Sequence, residues 1–136
     1  MIQYADSTED VTEERLTGFF EGWPNPPSTA THMKILEGSS VVVLAIDDAD
    51  SRVVGFVTAV TDGVLAAYVP LLEVLPGYRH RGIGSELLRR VMEKLDNFYM
   101  VDLLCDPQME SFYSQFGMKP AHAMAVRRYE RQSGVV

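Results

Sequence analysis

The sequence predicts an α/β (α+β) fold, with a mixed, mostly antiparallel central sheet of about six to seven strands and helices on both faces. Three observations point there. Residues 41–74 are dense in β-branched residues and are cut by the turn signals Asp47-Asp48-Ala49-Asp50 and Asp62-Gly63. Residues 82–95 then carry an apolar stripe of helical period. Two further strand-like runs, 98–104 and 121–129, flank a short second helical pattern.

Taken in order, residues 2–4 suit a short first strand and residues 12–20 a first helix, with Thr8 or Asp10 near its start. Gly22-Trp23-Pro24-Asn25-Pro26-Pro27 ends it, since proline removes the N–H donors a helix needs. Ser28 then caps a helix reaching about Glu37, and Gly38 stops it. Residues 41–46 and 52–60 form a hairpin around the acidic turn, and residues 64–74, apolar nearly throughout, read as the central strand covered on both faces. Pro70 lacks the donor a ladder requires, so a bulge or a splayed pairing is expected beside it.

In the next helix Ile83, Leu87, Leu88, Val91, Met92 and Leu95 share one stripe, while Glu86, Arg89, Arg90, Glu93 and Lys94 face outward. Glu86 with Arg90 and Arg89 with Glu93 are spaced to pair, at about 0.3 kcal/mol each. Residues 98–104 read as a strand and residues 107–116 as a helix, with Asp106 as N-cap, Pro107 in the first position and Gly117 as terminator. A last strand over residues 121–129 would complete the sheet.

Composition narrows the function. The 136 residues fit one domain, 1–136, able to bury a core without disulfide or metal. No apolar run reaches the roughly 18 residues that would span a bilayer, and MIQYADSTED carries no leader pattern, so a cytoplasmic location is expected. The lone Cys105 has no thiol partner and is expected to be a small buried hydrophobe. His32, His80 and His122 lack metal-ligand spacing, so no metal is expected. A net charge of −7 argues against nucleic acid or an anionic membrane as partner. Its distribution is uneven: residues 1–73 carry twelve acidic and three basic groups, the remainder seven acidic and nine basic. That asymmetry suits an anionic ligand on the second half and a cationic one on the first, and equally suits plain surface solvation.

Chemistry concentrates at Arg79-His80-Arg81-Gly82-Ile83-Gly84. A strand, a turn with glycines and a helix start place free backbone N–H groups beside a turn that a ligand can approach, which is an anion site. Side chains at Gly82 or Gly84 would stand between those amides and a phosphate. Gly77 and Gly82 open a P-loop spacing, but Ile83 and Gly84 occupy the Lys and Ser/Thr positions, so the grip on phosphate and magnesium is missing. Leu87 stands where a dinucleotide fingerprint wants a third glycine.

Arg79-x-x-Gly82-x-Gly84 resembles the (Gln/Arg)-x-x-Gly-x-(Gly/Ala) signature of the GCN5-related N-acetyltransferase (GNAT) superfamily. The flanks Leu72-Glu73-Val74-Leu75-Pro76 and Ser85-Glu86-Leu87-Leu88 are similar to that family's, as is Phe112-Tyr113-Ser114-Gln115-Phe116-Gly117-Met118 downstream. The resemblance implies a GNAT-like sheet whose strands splay near the cofactor, with acetyl-CoA as cofactor. Its pyrophosphate would rest on Arg79, His80, Arg81, Gly82, Ile83, Gly84 and Ser85, and its pantetheine arm along Leu72 and Val74. It implies direct acetyl transfer to the primary amine of a small-molecule substrate, with Tyr113 as proton donor to the departing thiolate; the alternative for Tyr113 is packing beside Phe112 and Phe116.

The sequence departs from the family where a base is often found: Tyr68 and Pro70 occupy those positions. Glu73 is the nearest carboxylate and the candidate base, although strict alternation puts it opposite Tyr68 and Leu72 unless a bulge resets the phase; the alternative is a solvent-facing carboxylate. Asp106 stands where the family often has asparagine. Trp23 and Asn25 lie in the loop that the resemblance assigns to the acceptor side. Rival readings are a non-catalytic CoA-binding sensor or interaction module, and an enzyme acting on a protein lysine or N-terminus. A homodimer is open, with the 121–129 strand available to it.

Overall fold

The computed structural model describes residues 1–135, with Val136 outside the described residues. Five strands form one sheet in the order β1-β2-β3-β4-β5: β1 (Ile2–Ala5), β2 (Val41–Asp47), β3 (Arg52–Thr61), β4 (Ala66–Val74) and β5 (Met100–Asp102). The first four pair antiparallel and β5 joins β4 in parallel. Three α-helices, α1 (Thr29–Gly38), α2 (Ile83–Lys94) and α3 (Glu110–Ser114), accompany short 3-10 turns. The fold is the α/β, mostly antiparallel architecture that the sequence predicts, with one strand fewer than the lower expected count. The most deeply buried strand is β3, in the middle of the order, rather than β4.

Each face of the sheet carries its own core. Val43, Ala45, Val57, Ala59, Ala67 and Val69 meet the stripe Ile83, Leu87, Leu88 and Val91 of α2 on one side. Val42, Leu44, Val53 and Phe56 meet Leu16, Phe20 and Leu36 on the other. This alternation is the period-2 pattern of strands buried on both faces. Buried His32 belongs to the second layer. Its ring lies 4.4 Å from Phe56 and 4.8 Å from Phe20 by centroids, both nitrogens lack partners, and burial pulls its pKa from 6.5 to about 4. It is therefore neutral at physiological pH.

Two bulges shape the sheet. Ala45 opposes Gly55 and Ile46 opposes Val53, which leaves Val54 as an extra residue on β3. The second lies where Pro70 predicts it: Thr58 opposes Leu71 and Val60 opposes Tyr68, so Val69 and Pro70 together face Ala59. The bulge also resets the phase of β4. Ala67 and Val69 before it, and Leu72 and Val74 after it, all pack on the α2 side. Tyr68, Leu71 and Glu73 consequently share the opposite face.

Helix α1 follows expectation, with Ser28 Oγ accepting from Thr31 N–H at 3.1 Å. On α2 both expected pairs form, Arg90–Glu86 at 2.6 Å and Arg89–Glu93 at 2.9 Å, and Arg89 with Arg90 holds the Glu86 pKa down to about 2. Three expectations need correction. Residues 12–20 form only a 3-10 turn, Glu13–Leu16, because tertiary partners claim the backbone beyond it: Arg52 donates to Thr17 O at 3.0 Å and Glu73 accepts from Phe20 N–H at 2.9 Å. The 107–116 helix divides into a 3-10 turn, Pro107–Met109, and α3. Residues 121–129 form no strand; the segment runs exposed and unpaired until a 3-10 turn at Tyr129–Arg131.

Gly55 sets how closely α2 approaches the sheet. A Cβ there would lie 3.0 Å from Leu87 Cδ1 and 3.3 Å from Ile83 Cγ2. Gly55→Val is expected to push α2 off β3 and to destabilise the protein by about 1–3 kcal/mol, read as a lower urea midpoint.

Candidate active site

The site begins where β4 ends. After Asp102 strand β5 leaves β4, whose last pairing with it is Tyr68 to Asp102, while β4 continues to Val74. Leu75 N–H donates to Val54 O at 2.8 Å. Antiparallel strands turn successive N–H groups to alternate sides, so those of Leu72 and Val74 point away from β3, into the space that β5 has left. The bulge and the departure of β5 together give the splayed edge.

From Val74 the chain makes a 3-10 turn, Pro76–Tyr78, and enters α2. Tyr78 Oη donates to Asp47 Oδ2 at 2.7 Å, fastening this turn to the end of β2 and lowering the Asp47 pKa. His80 and Gly82 both adopt left-handed backbone, with φ of 63° and 80°. A left-handed residue that is not glycine is uncommon and costs energy, and here it falls two residues before a second left-handed residue at the mouth of a helix. Helical bonding starts with Glu86 N–H donating to Gly82 O at 3.1 Å, so the N–H groups of Ile83, Gly84 and Ser85 lack helical acceptors. A Cβ on Gly82 would meet nothing within 4 Å and would project into open space. On Gly84 it would lie 3.8 Å from Val74 Cγ2 and 3.9 Å from Phe112 Cζ, which places α3 beside the first turn of α2.

The three basic residues of this turn have different surroundings. Arg79 Nε donates to Val74 O at 3.0 Å and its guanidinium pairs with Glu21 at 3.0 Å, so Arg79 ties the 3-10 turn to β4 and to the acidic loop. Arg81 stacks over Tyr78 at 5.1 Å, and both His80 and Arg81 are exposed. Positive charge at the rim therefore comes chiefly from Arg81 and the N-terminus of α2, with Arg79 partly neutralised by Glu21.

Glu73 faces the layer of Phe20. Its two oxygens accept from Phe20 N–H at 2.9 and 3.0 Å, with a longer 3.5 Å contact from Glu21 N–H. Phe20 is itself left-handed, φ 63°, so this carboxylate fixes a costly backbone conformation. Burial raises the Glu73 pKa, opposed by the Phe20 and Glu21 amides and by Arg79. Tyr113 is half-buried, with its ring 5.0 Å from Phe112; burial raises its pKa, and neighbouring Cys105 adds to the rise. Cys105 is exposed rather than buried, because β5 stops three residues earlier and its chain turns along the rim of an open groove shared with Tyr68 and Tyr113.

Trp23 packs on Phe20 at 4.8 Å and is half-buried at the edge of the lower core. Asn25 is engaged elsewhere: its N–H donates to Gln132 Oε1 at 2.9 Å and its Nδ2 donates to Tyr129 O at 3.0 Å. The proline-rich loop thus holds the C-terminal segment.

Comparison with known proteins identifies the family. The sequence profile of the acetyltransferase (GNAT) family matches residues 8–118. The chain belongs to the GNAT family. A candidate acetyltransferase from Deinococcus radiodurans R1 superposes with a TM-score of 0.95 at 51% identity, over 99% of this chain and 94% of its own. A GNAT-family acetyltransferase from Streptococcus pneumoniae TIGR4 gives a TM-score of 0.74 at 28% identity, over 94% and 99%. An uncharacterised N-acetyltransferase of Pyropia yezoensis is 26% identical over 100 residues, 71% of this chain, and the chain spans 57% of that relative's length.

Within this GNAT fold, the sequence picks out the turn and the splayed edge by type and spacing. It does not reveal Glu21 as the partner of Arg79, Asp47 as that of Tyr78, or Glu73 as the acceptor for Phe20, since each pair is distant in sequence. A glycine inside a strand was the one available signal for Gly55. Glu73→Ala leaves the Phe20 amide without its acceptor and is expected to cost about 1–3 kcal/mol in unfolding experiments, whereas Glu73→Gln keeps one acceptor oxygen and should lose less.

Proposed function

We propose that this acetyltransferase uses acetyl-CoA to acetylate the primary amine of a small cationic molecule by direct attack. The observation that carries the reading is the left-handed pair His80 and Gly82 opening α2 beside a β4 edge that β5 has abandoned. Free amides at Ile83, Gly84 and Ser85, with Arg81 at the rim, suit a pyrophosphate, and the open space before Gly82 gives it room. The outward N–H groups of Leu72 and Val74 suit the amide-bearing pantetheine arm as an added half-strand.

When bound, acetyl-CoA supplies an activated thioester whose acetyl carbon accepts the amine and whose sulfur leaves as the thiol. The Val74 N–H would stabilise the negative charge that gathers on the thioester oxygen, an effect worth about 3 kcal/mol for a preorganised donor. Tyr113, kept protonated by its raised pKa, would supply a proton to the departing sulfur. Glu73 takes the proton of the attacking amine through a water, its raised pKa making it a stronger base than an ordinary carboxylate. The bulge supports this role by turning Glu73 to the face of Phe20 and Trp23. The acidic first half of the chain, with Glu73 at the loop, favours a cationic acceptor. Trp23 lines the acceptor side, while Asn25 acts through its hold on the C-terminal segment.

Acetyl-CoA and CoA are expected to raise the thermal midpoint, by about 2.7 kcal/mol of stabilisation at a hundredfold excess over Kd, while ATP and NAD do not. Gly82→Glu should abolish the shift, and Gly82→Ala reports the backbone strain alone, about 1–2 kcal/mol. An unchanged midpoint with CoA species would end the reading.

In a thiol-release assay over a panel of amines, Tyr113→Phe should lower kcat by about 10²-fold or more. Glu73→Gln should remove the acidic limb of the kcat/KM profile, which in the parent lies above the ordinary carboxylate pKa. Activity is lost as pH falls through that pKa because the base becomes protonated. A Glu73→Gln protein with the parent's profile would exclude Glu73 as base.

A further inference from the structure

The core layer on the face of the sheet away from α2 holds an ionisable ring that acetyl transfer does not use. Helix α1 buries only two residues fully, His32 and Leu36, one turn apart on the same face. His32 is 1% exposed and stands among three phenyl rings: Phe56 of β3 at 4.4 Å, Phe20 at 4.8 Å and Phe19 at 5.3 Å between centroids. Neither ring nitrogen has a hydrogen-bond partner, and Oγ1 of Thr58, two residues on from Phe56 along β3, has none either. A leucine would fill the same place without desolvating an N–H and a lone pair for no hydrogen bond in return.

Among the described residues no charged group bonds this ring. On α1 itself Lys34 and Glu37 are exposed. Glu13 and Glu14 of the adjoining 3-10 turn are exposed too, and Arg15 donates to Asp10 O. On β3, Arg52 donates to Thr17 O; on β4, Glu73 lies across the ladder from Phe56 with its carboxylate on the Phe20 N–H. Glu21, next to Phe20, pairs with Arg79. None of these charges offsets the burial of His32, which alone brings its pKa from 6.5 to about 4. Attraction of an imidazolium to the phenyl faces works in the other direction but is small beside the hydration that burial removes.

We propose that His32 is a pH-sensitive latch that, while neutral, holds α1 and the Phe19–Trp23 segment against β3 and, once protonated, releases them. An imidazolium among three phenyl rings has no acceptor, and it reaches water only when α1 and Phe20 part. Opening is local, because α2 and the core it covers lie on the other face of the sheet. Trp23 moves with Phe20, on which it packs, and the Phe20 N–H leaves Glu73. The opened form binds the proton with the ordinary pKa of 6.5. Closure is therefore most stable above that pH, weakens about tenfold per unit as pH falls toward 4, and levels off below. Glu73 acts in the opposite sense: burial raises its pKa, so the closed form binds its proton more tightly than the open one. Carboxylates held low by partners, such as Glu86 at about 2, weaken the fold only in and below the ordinary carboxylate range. His80 and His122 stand exposed on other elements. A loss of closure between pH 7 and pH 5 belongs to His32.

Hydrogen exchange, corrected for the intrinsic rate at each pH, reads the opening directly. The amides of residues 33–38 in α1 should lose about 20-fold in protection between pH 7 and pH 5, while those of residues 87–94 in α2 keep theirs. His32→Leu keeps a packed side chain without a proton site, and its α1 amides should be equally protected at both pH values. Unchanged protection in the parent protein, equal losses in α1 and α2, or a pH dependence that survives His32→Leu would each overturn the latch. If the leucine variant does not fold, NMR titration of the His32 ring in the parent protein decides. A midpoint clearly below 6.5 is expected, and one at or above 6.5 overturns the proposal.

Discussion

Pro70 has no N–H to give a neighbouring strand, and the site grows from how β4 accommodates it. With Val69 and Pro70 together opposite Ala59, the strand takes up one extra residue and its side chains change phase. Tyr68 and Glu73, five positions apart, come to the same face, while Leu72 and Val74 keep their side chains toward α2. Just past Tyr68 the parallel partner β5 ends, which leaves the outer edge of β4 unpaired from there to Val74 among the described residues. Without the bulge, Glu73 would point into the layer beneath α2, and the loop of Phe20 would lose its acceptor.

The helix that completes the site depends on close packing rather than on its charged surface. Ile83 and Leu87 press against the bare backbone of Gly55, which brings the first turn of α2 level with the end of β4. The salt bridges Arg89–Glu86, Arg89–Glu93 and Arg90–Glu86 lie on the outer face and add only tenths of a kcal/mol each. Polar ties do more where they join separate elements. Arg79 links Val74 to Glu21, Glu73 links β4 to Phe20, and Tyr78 links the same turn to Asp47. Together they hold the turn before α2 and the proline-rich loop in one frame, so that the left-handed residues Phe20 and His80 are maintained by contacts made far away in sequence.

The C-terminal segment shows that a strand-like sequence does not by itself make a strand. Its alternating pattern is real, but a strand exists only through hydrogen bonds to a neighbour, and one copy provides none within reach. The first helical pattern meets the opposite fate. Leu16 and Phe20 are buried as an amphipathic helix would bury them, but Arg52 and Glu73 take up the backbone groups of Thr17 and Phe20 and the chain turns instead.

By itself the sequence determined what depends on neighbours along the chain: the Ser28 cap, the β2–β3 hairpin, the stripe of α2, the irregularity at Pro70, and the Arg79-x-x-Gly82-x-Gly84 turn with its family. These features follow from local sterics and periodicity, which are written within a few residues. Tertiary structure alone decided which side of β4 carries Glu73, that Arg79 and Asn25 serve as ties, that Cys105 lies exposed beside Tyr113, and that residues 121–129 find no strand in their own copy. Each of these depends on whether a distant group reaches a given N–H, carbonyl or charge, and that is settled only when the sheet and its two layers have closed.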